Sequence, residues 1–437
     1  MVRSREPSVR PGGRPHRQNR VARGGAFAAA FAVLVTIGWQ IIANTAADTR
    51  ARTDPAGALA WRPDSAPALM ASAEEKVRAA NTDQDQLAAA ADLAGRALTA
   101  NPLREDAFRM LGIVADMRGD GGQAMALMTL AQSRSRRDLG ADLWLFDSSA
   151  QSGNFASALA YADAVLRVAP DLSDQLFPPL MAIAADPDGT AAMVAMLAGD
   201  PPWRSWFFGG LPRDPAGTAI AGTLLAGLAQ SPHPARIAEI APYLGALIKA
   251  GDVQTAFLTW LRFLPADQAQ SVAFAYNGDF EQPITNLPFD WLIGDVHGAD
   301  TKVVASPDSG ISKALRVVFS DTRVAYAHTT KVLVLPPGNY ELSGGVKAEG
   351  LMTNRGMRWR IACLGGSNQR LGESDLFVGT FPWKTFAVSF SVPDSGCAAQ
   401  TLRLELDTRV ALDQQVVGTF WSDSLAIKRA DAAVTTN

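Results

Sequence analysis

Aromatic side chains set among hydrogen-bonding groups carry most of the chemical potential in this chain. In its last third, Trp291, Tyr340, Trp383 and Trp421 stand among Asn, Asp, Ser and Lys residues. Pyranose rings present apolar C–H faces, so exposed aromatics beside polar side chains are what a sugar site needs. Alternation sorts the candidates. Trp359 shares parity with Ile361 and Cys363, which puts it in a core. Trp421 shares parity with Leu425 and Ile427 and reads as buried for the same reason. Trp383 follows Pro382 in an apparent loop and is the best exposed candidate, ahead of Trp291 and Tyr340.

The two cysteines, Cys363 and Cys397, do not form a CxxC pair. Outside the cytoplasm they read either as a disulfide or as two buried thiols acting as small apolar groups. A bridge would close a loop of about 34 residues, worth roughly 3–4 kcal/mol by chain entropy. Four scattered histidines (His16, His233, His297 and His328) give no zinc spacing. The chain has no P-loop, no glycine-rich dinucleotide fingerprint, no HExxH and no GxSxG. Paired carboxylates for glycoside hydrolysis meet only in space, so sequence does not address them. The expectation is a non-catalytic protein.

The elements that must position these residues are strands. From about residue 275, period-two alternation replaces alanine-rich helices. Leu402, Leu404 and Leu406 alternate with Arg403, Glu405 and Asp407; Phe386, Val388, Phe390 and Val392 alternate with small polar residues. Further strands are expected at 313–320, 329–335, 338–348 and 417–428, with turns at PPGNY (336–340) and VPDSG (392–396). Seven or eight strands without helices indicate an antiparallel β-sandwich over 275–430.

The opening NGDFE (277–281), the FDW that follows (289–291), PGNYELSGGVK (337–347) and the closing FWSDSLAIKR (420–429) resemble the jelly-roll carbohydrate-binding modules and the wider galactose-binding-like family. That resemblance implies a sugar-binding role and no catalysis. It also implies a structural calcium held near the chain ends of the domain, for which Asp279, Glu281 and Asp423 are the matching carboxylates. The bland reading makes these ordinary surface groups. No other cofactor is expected.

Before the strands, residues 69–270 are rich in Ala and Leu at helical spacing. Ala90, Ala124 and Ala158 recur at a period of 34, as do Ala97, Ala131 and Val165. Gly119 and Gly153 keep the period at helix turns, and Pro102 and Pro170 stand two periods apart. Small residues let helices cross closely, Gly allows a positive φ at the turn, and Pro stops the second helix. This pattern resembles the tetratricopeptide repeat family over residues 71–170, with departures at Arg136 and Asp142. It implies an α-helical solenoid that docks partner proteins; the alternative is a packed spacer. Residues 171–235 show no clear repeat. Their DPPWRSWFFGGL (200–211) reads as core or as a contact between domains, and a further hairpin is expected at 236–265.

Composition sets the frame. At 48% hydrophobic and 19% charged, 437 residues suffice for several packed domains. Residues 1–23 hold seven arginines against Glu6, a balance of +6, which leaves −9 for the rest of the total of −3. An acidic body has no basic stripe for phosphates, which excludes a nucleic-acid platform. Residues 24–47 carry no charge, and 20 apolar residues as helix span about 30 Å. The preceding arginines orient such a span with its N-terminus cytoplasmic. A cleaved signal peptide is the competing reading.

The expected organisation is therefore a disordered basic tail (1–23), a membrane anchor (24–47), a linker (48–68), the helical domain (69–270), the sandwich (275–430) and a tail (431–437). It describes a multidomain α and β protein of a bacterial inner membrane, single-pass, with its bulk in the periplasm. The combination resembles accessory proteins of surface-polysaccharide (exopolysaccharide) synthesis or export. That implies a scaffold contacting envelope proteins through its repeats. Polysaccharide binding through the sandwich aromatics is the alternative, and a glycan-active enzyme is the third reading.

Overall fold

The computed structural model describes residues 18–270, 272–306, 312–365 and 368–430, with side chains from residue 34 onward. It divides into two compact units, Met1–Leu176 and Phe177–Asn437.

The first unit is helical. α1 spans Gln18–Arg50. The expected tail at 1–17 lies outside the described residues, and from Gln18 the chain is helix rather than tail. Leu34, Ile41, Ile42 and Trp39 on α1 are exposed. Among the described residues, no single helix is long and apolar enough to cross a membrane. Of the expected anchor, 24–33 lies outside the residues whose side chains are described.

The expected linker is also partly helical. Asp54 caps α2 (Pro55–Trp61) by accepting the Gly57 N–H at 2.9 Å, with Pro55 pre-set for the first helical position. Three hairpins follow: α3 (Ala66–Ala80) with α4 (Gln84–Ala100), α5 (Glu105–Met117) with α6 (Gly121–Arg134), and α7 (Leu139–Gln151) with α8 (Phe155–Val168). Ala90, Ala97, Ala124, Ala131, Ala158 and Val165 are all fully buried, as expected for positions where helices cross. Gly119 and Gly153 turn the second and third hairpins at φ of 79° and 74°.

α9 (Ser173–Ala185) contains the boundary. The second unit continues with α10 (Pro187–Ala198), α11 (Arg204–Gly210), α12 (Pro215–Leu228), α13 (Ile237–Lys249), α14 (Val253–Phe263) and α15 (Ala266–Gln270). Trp203, Phe207 and Phe208 of the aromatic cluster are buried core. Beside them, Arg204 is fully buried and pairs with buried Glu239 at 2.7 Å. Arg204 also donates to the carbonyls of Leu197, His233 and Pro234. Burial pushes the Glu239 carboxyl up, but hydrogen bonds from Arg204, Arg236 and Ser205 outweigh it and hold the group below its usual range.

The expected border at 270–275 does not separate units. Phe257 and Trp260 of α14 pack on Phe289 at 5.3 and 5.6 Å, and Trp260 meets Tyr276 edge-on at 5.1 Å. These rings join the last helices to the sandwich.

Among the described residues the sandwich holds ten strands: β1 (Leu292–Ile293), β2 (Ala299–Ala305), β3 (Lys313–Arg323), β4 (Thr329–Leu333), β5 (Gly338–Thr353), β6 (Met357–Cys363), β7 (Arg370–Glu373), β8 (Gly379–Val392), β9 (Gln400–Leu406) and β10 (Gln415–Arg429). They form two antiparallel sheets, β1-β4-β9-β6-β7 and β2-β3-β10-β5-β8. Leu402, Leu404, Leu406, Val388, Phe390 and Trp359 fill one contiguous core between them.

On the outer face of the first sheet, Glu405 pairs with Arg358, Arg360 and Arg403, and Glu373 pairs with Arg358, Arg360 and Arg370. The structure joins Cys363 to Cys397 as a disulfide, with Cα atoms 5.2 Å apart. It fastens the end of β6 to the turn before β9.

Candidate functional site

Two of the three expected sugar-platform aromatics have no free face. Trp291 is fully buried, stacked on Phe280 at 5.2 Å, and donates its indole N–H to the Asn277 carbonyl at 2.8 Å. Tyr340 is buried too. It stacks on Phe390 and donates to the Pro336 carbonyl at 2.8 Å, closing its own turn. The expectation for this pair is therefore corrected: both are core residues.

The opening motif has the same structural job. Asn277 donates to Asp290 at 3.2 Å, and Asp290 accepts the backbone and hydroxyl of Thr285 at 2.7 and 2.9 Å. Beneath them Lys331, fully buried, sits 4.7 Å from the Trp291 ring and donates to the Tyr276 carbonyl. Burial pulls its ammonium down to about 7, with Asp290 and Asp279 opposing. Sequence reading missed this lysine, because one Lys in a short apolar run gives no sign of being inside.

Trp383 differs. It lies on β8 rather than in a loop and is only partly buried. Its facing follows from register. On β5, Val346 and Ala348 are core, so Lys347 between them points outward. Lys384 pairs with Val346 and Thr385 with Gly345, which puts Trp383 on the same outward side. A Cβ at Gly345 would lie 3.5 Å from the indole Cε3, so the ring rests over that glycine.

The same face carries a cross-strand row. Arg316, between core residues Leu315 and Val317, pairs with Lys302 on β2 and with Trp421 on β10; Trp421 pairs onward with Lys347 on β5. Strands stand about 4.8 Å apart, so the row runs about 14 Å, and Trp383 lies on the next strand. Trp421 is 7% exposed, which agrees with the expected burial but not with its reason. A register shift between Asp423 and Ala426, with Ser424 at φ 54°, turns Leu425 and Ile427 to the core and Trp421 away from it. The Arg316 guanidinium covers the ring at 5.8 Å.

Charges on this face are paired. Lys302 meets Asp300 at 2.9 Å, and Lys347 meets Glu349 at 3.1 Å. Two buried donors, Trp421 Nε1 and Arg316 Nε, have no protein acceptor. The face thus offers an accessible indole, a covered one, and charged side chains of both signs.

The expected calcium ligands each accept a backbone N–H. Glu281 accepts the Lys313 backbone N–H at 2.7 Å, Asp279 accepts that of Glu281, and Asp423 accepts that of Ser424. Burial, then the like charges of Asp279 and Glu281, raises the Asp423 carboxyl. Among the described residues, no three His, Cys, Asp or Glu side chains are grouped so as to hold a metal ion.

No protein-family model matches this chain, and no curated protein matches it. Solved structures do. A CBM4 domain is 18% identical, covering 36% of this chain and 99% of its own, with a TM-score of 0.26. The CBM22-1 xylan-binding domain of Paenibacillus barcinonensis Xyn10C is 17% identical over 36% of this chain and 94% of its own, at 0.25. TmCBM61, solved with β-1,4-galactotriose, is 17% identical over 37% of this chain and 100% of its own, at 0.27.

Proposed function

We propose that the outward face of the β2-β3-β10-β5-β8 sheet binds a polysaccharide, and that the chain is a non-catalytic glycan-binding protein. The observation that carries this reading is the register row Lys302–Arg316–Trp421–Lys347 with Trp383 beside it. An indole can stack on a sugar ring while the flanking lysine, carboxylate and guanidinium side chains bond its hydroxyls. Because Asp300 and Glu349 lie against Lys302 and Lys347, the face suits a neutral glycan, whose binding changes little with salt. In this proposal the helical hairpins, tetratricopeptide-like in their 34-residue period, hold an envelope partner. The basic N-terminal stretch and the exposed apolar side chains of α1 keep the protein at the inner membrane, on its periplasmic side.

The test is affinity electrophoresis of the full chain through gels containing neutral β-glucans, xylans and galactans. At least one glycan should retard the protein. Trp383→Ala should weaken that retardation about tenfold, or ~1.4 kcal/mol. Arg403→Ala, on the opposite sheet, should leave it unchanged. Retardation by no glycan, or equal retardation of the Trp383→Ala protein, would refute the proposal.

A further inference from the structure

A second site lies in the helical part of the second unit. α12, α13 and α14 enclose a cleft of about 410 Å3, within the size range of small-molecule pockets. Its two long walls are helical stripes of opposite character. On α12 and at its C-cap, Gly222, Ala226 and Ala229 recur at i, i+4 and i+7 and line the cleft. On α14, Thr255, Thr259 and Arg262 recur at the same spacing and line it from the other side. Small residues on one helix make the space, and hydroxyls with a guanidinium on the other make it polar.

The floor comes from α13. Tyr243 is 8% exposed, and its hydroxyl hydrogen-bonds Thr259. Any Cβ at position 222 would sit 2.6 Å from that hydroxyl oxygen, so glycine is what admits the phenol there. Burial, with the Asp252 charge, pushes the Tyr243 hydroxyl up, so it stays protonated at neutral pH. Asp252 itself caps α14 by accepting the Thr255 N–H at 3.2 Å. Among the described residues, Arg262 forms no ion pair, in contrast to the matched charges of the sandwich faces. Leu225, Pro234 and Phe263 give the rest of the cleft an apolar lining.

One unpaired cation and two threonine hydroxyls at one wall, with an apolar remainder, define the occupant. We infer that this cleft binds a small amphipathic carboxylate, its head on Arg262 and Thr259 and its hydrocarbon body against Leu225, Ala226 and Phe263. This site is independent of the glycan-binding face.

The probe is sodium octanoate, titrated calorimetrically into the full chain, with 1-octanol and inorganic phosphate in parallel. Octanoate should bind saturably at one site, at least tenfold tighter than octanol, and phosphate should not displace it. Arg262→Gln should weaken octanoate at least tenfold. Ala226→Phe, at an exposed helix position, should abolish binding by filling the cleft while leaving thermal unfolding unchanged. Equal affinity for octanol, displacement by phosphate, wild-type affinity in both variants, or no binding at millimolar octanoate would each overturn the inference.

Discussion

Asp142 on α7 is the least comfortable residue in the first unit. It is fully buried, and neither carboxylate oxygen has a protein partner. Burial, then the neighbouring Asp138, raises its pKa from 3.8 to about 6. The folded state therefore holds the proton more tightly than the unfolded chain. Stability falls as pH rises from about 4 through about 6, and the full cost stands at pH 7. Two pKa units correspond to about 3 kcal/mol. Asp142→Leu should raise the urea midpoint at pH 7, and the gain should shrink toward pH 4; an unchanged midpoint would contradict this account. The position was legible in sequence as a departure from the 34-residue pattern, where an aliphatic or aromatic residue is expected. Trp421 was legible only in part. Alternation gave its burial, but one bulge near Ser424 reversed its face, and bulges leave no periodic trace. Trp291 and Tyr340 misled for a related reason. Residue type marks an aromatic as able to stack on sugar, whereas exposure depends on neighbours from distant strands.

Among the elements, Arg204 on α11 is tied to Glu239 on α13. Both ends are buried, and the guanidinium also serves three backbone carbonyls. Arg204→Met should destabilise the fold by roughly 3–5 kcal/mol, because it leaves a carboxylate inside without its cation. Since the Glu239 pKa is held below its ordinary value, the stability it contributes is present above the usual carboxylate range and lost as pH falls through the folded value. The Arg204→Met protein should therefore lose less stability on acidification than the parent, as read by denaturant unfolding at pH 7 and pH 4. Parallel losses would remove Glu239 from the account. Strands with strict alternation, β6 and β9, were readable from sequence, but β8 only over its second half, so that Trp383 was expected in a loop. β1 and β7, of two and four residues, are too short for periodicity to appear, and β2 has an irregular burial pattern. The disulfide was an open alternative until Cα separation could decide it.

At the scale of the whole molecule, helices precede a two-sheet sandwich, and composition alone marks that order. The place where the chain divides was not legible. Leu176/Phe177 falls within one helix, and the sandwich shares aromatic packing with α14 through Trp260 and Phe289. Alanine-rich helices look alike in sequence whether they pack on each other or on a sheet. The proposed glycan-binding face depends on register across five strands, which no local pattern encodes. Its most direct test is hydroxyl-radical footprinting of the full chain with and without the glycan that retards it. Bound glycan should reduce oxidation of Trp383 severalfold, while Trp61 and Met352, both exposed and off the row, should react as before. Unchanged oxidation of Trp383 in the saturated complex would place the sugar elsewhere and contradict the account.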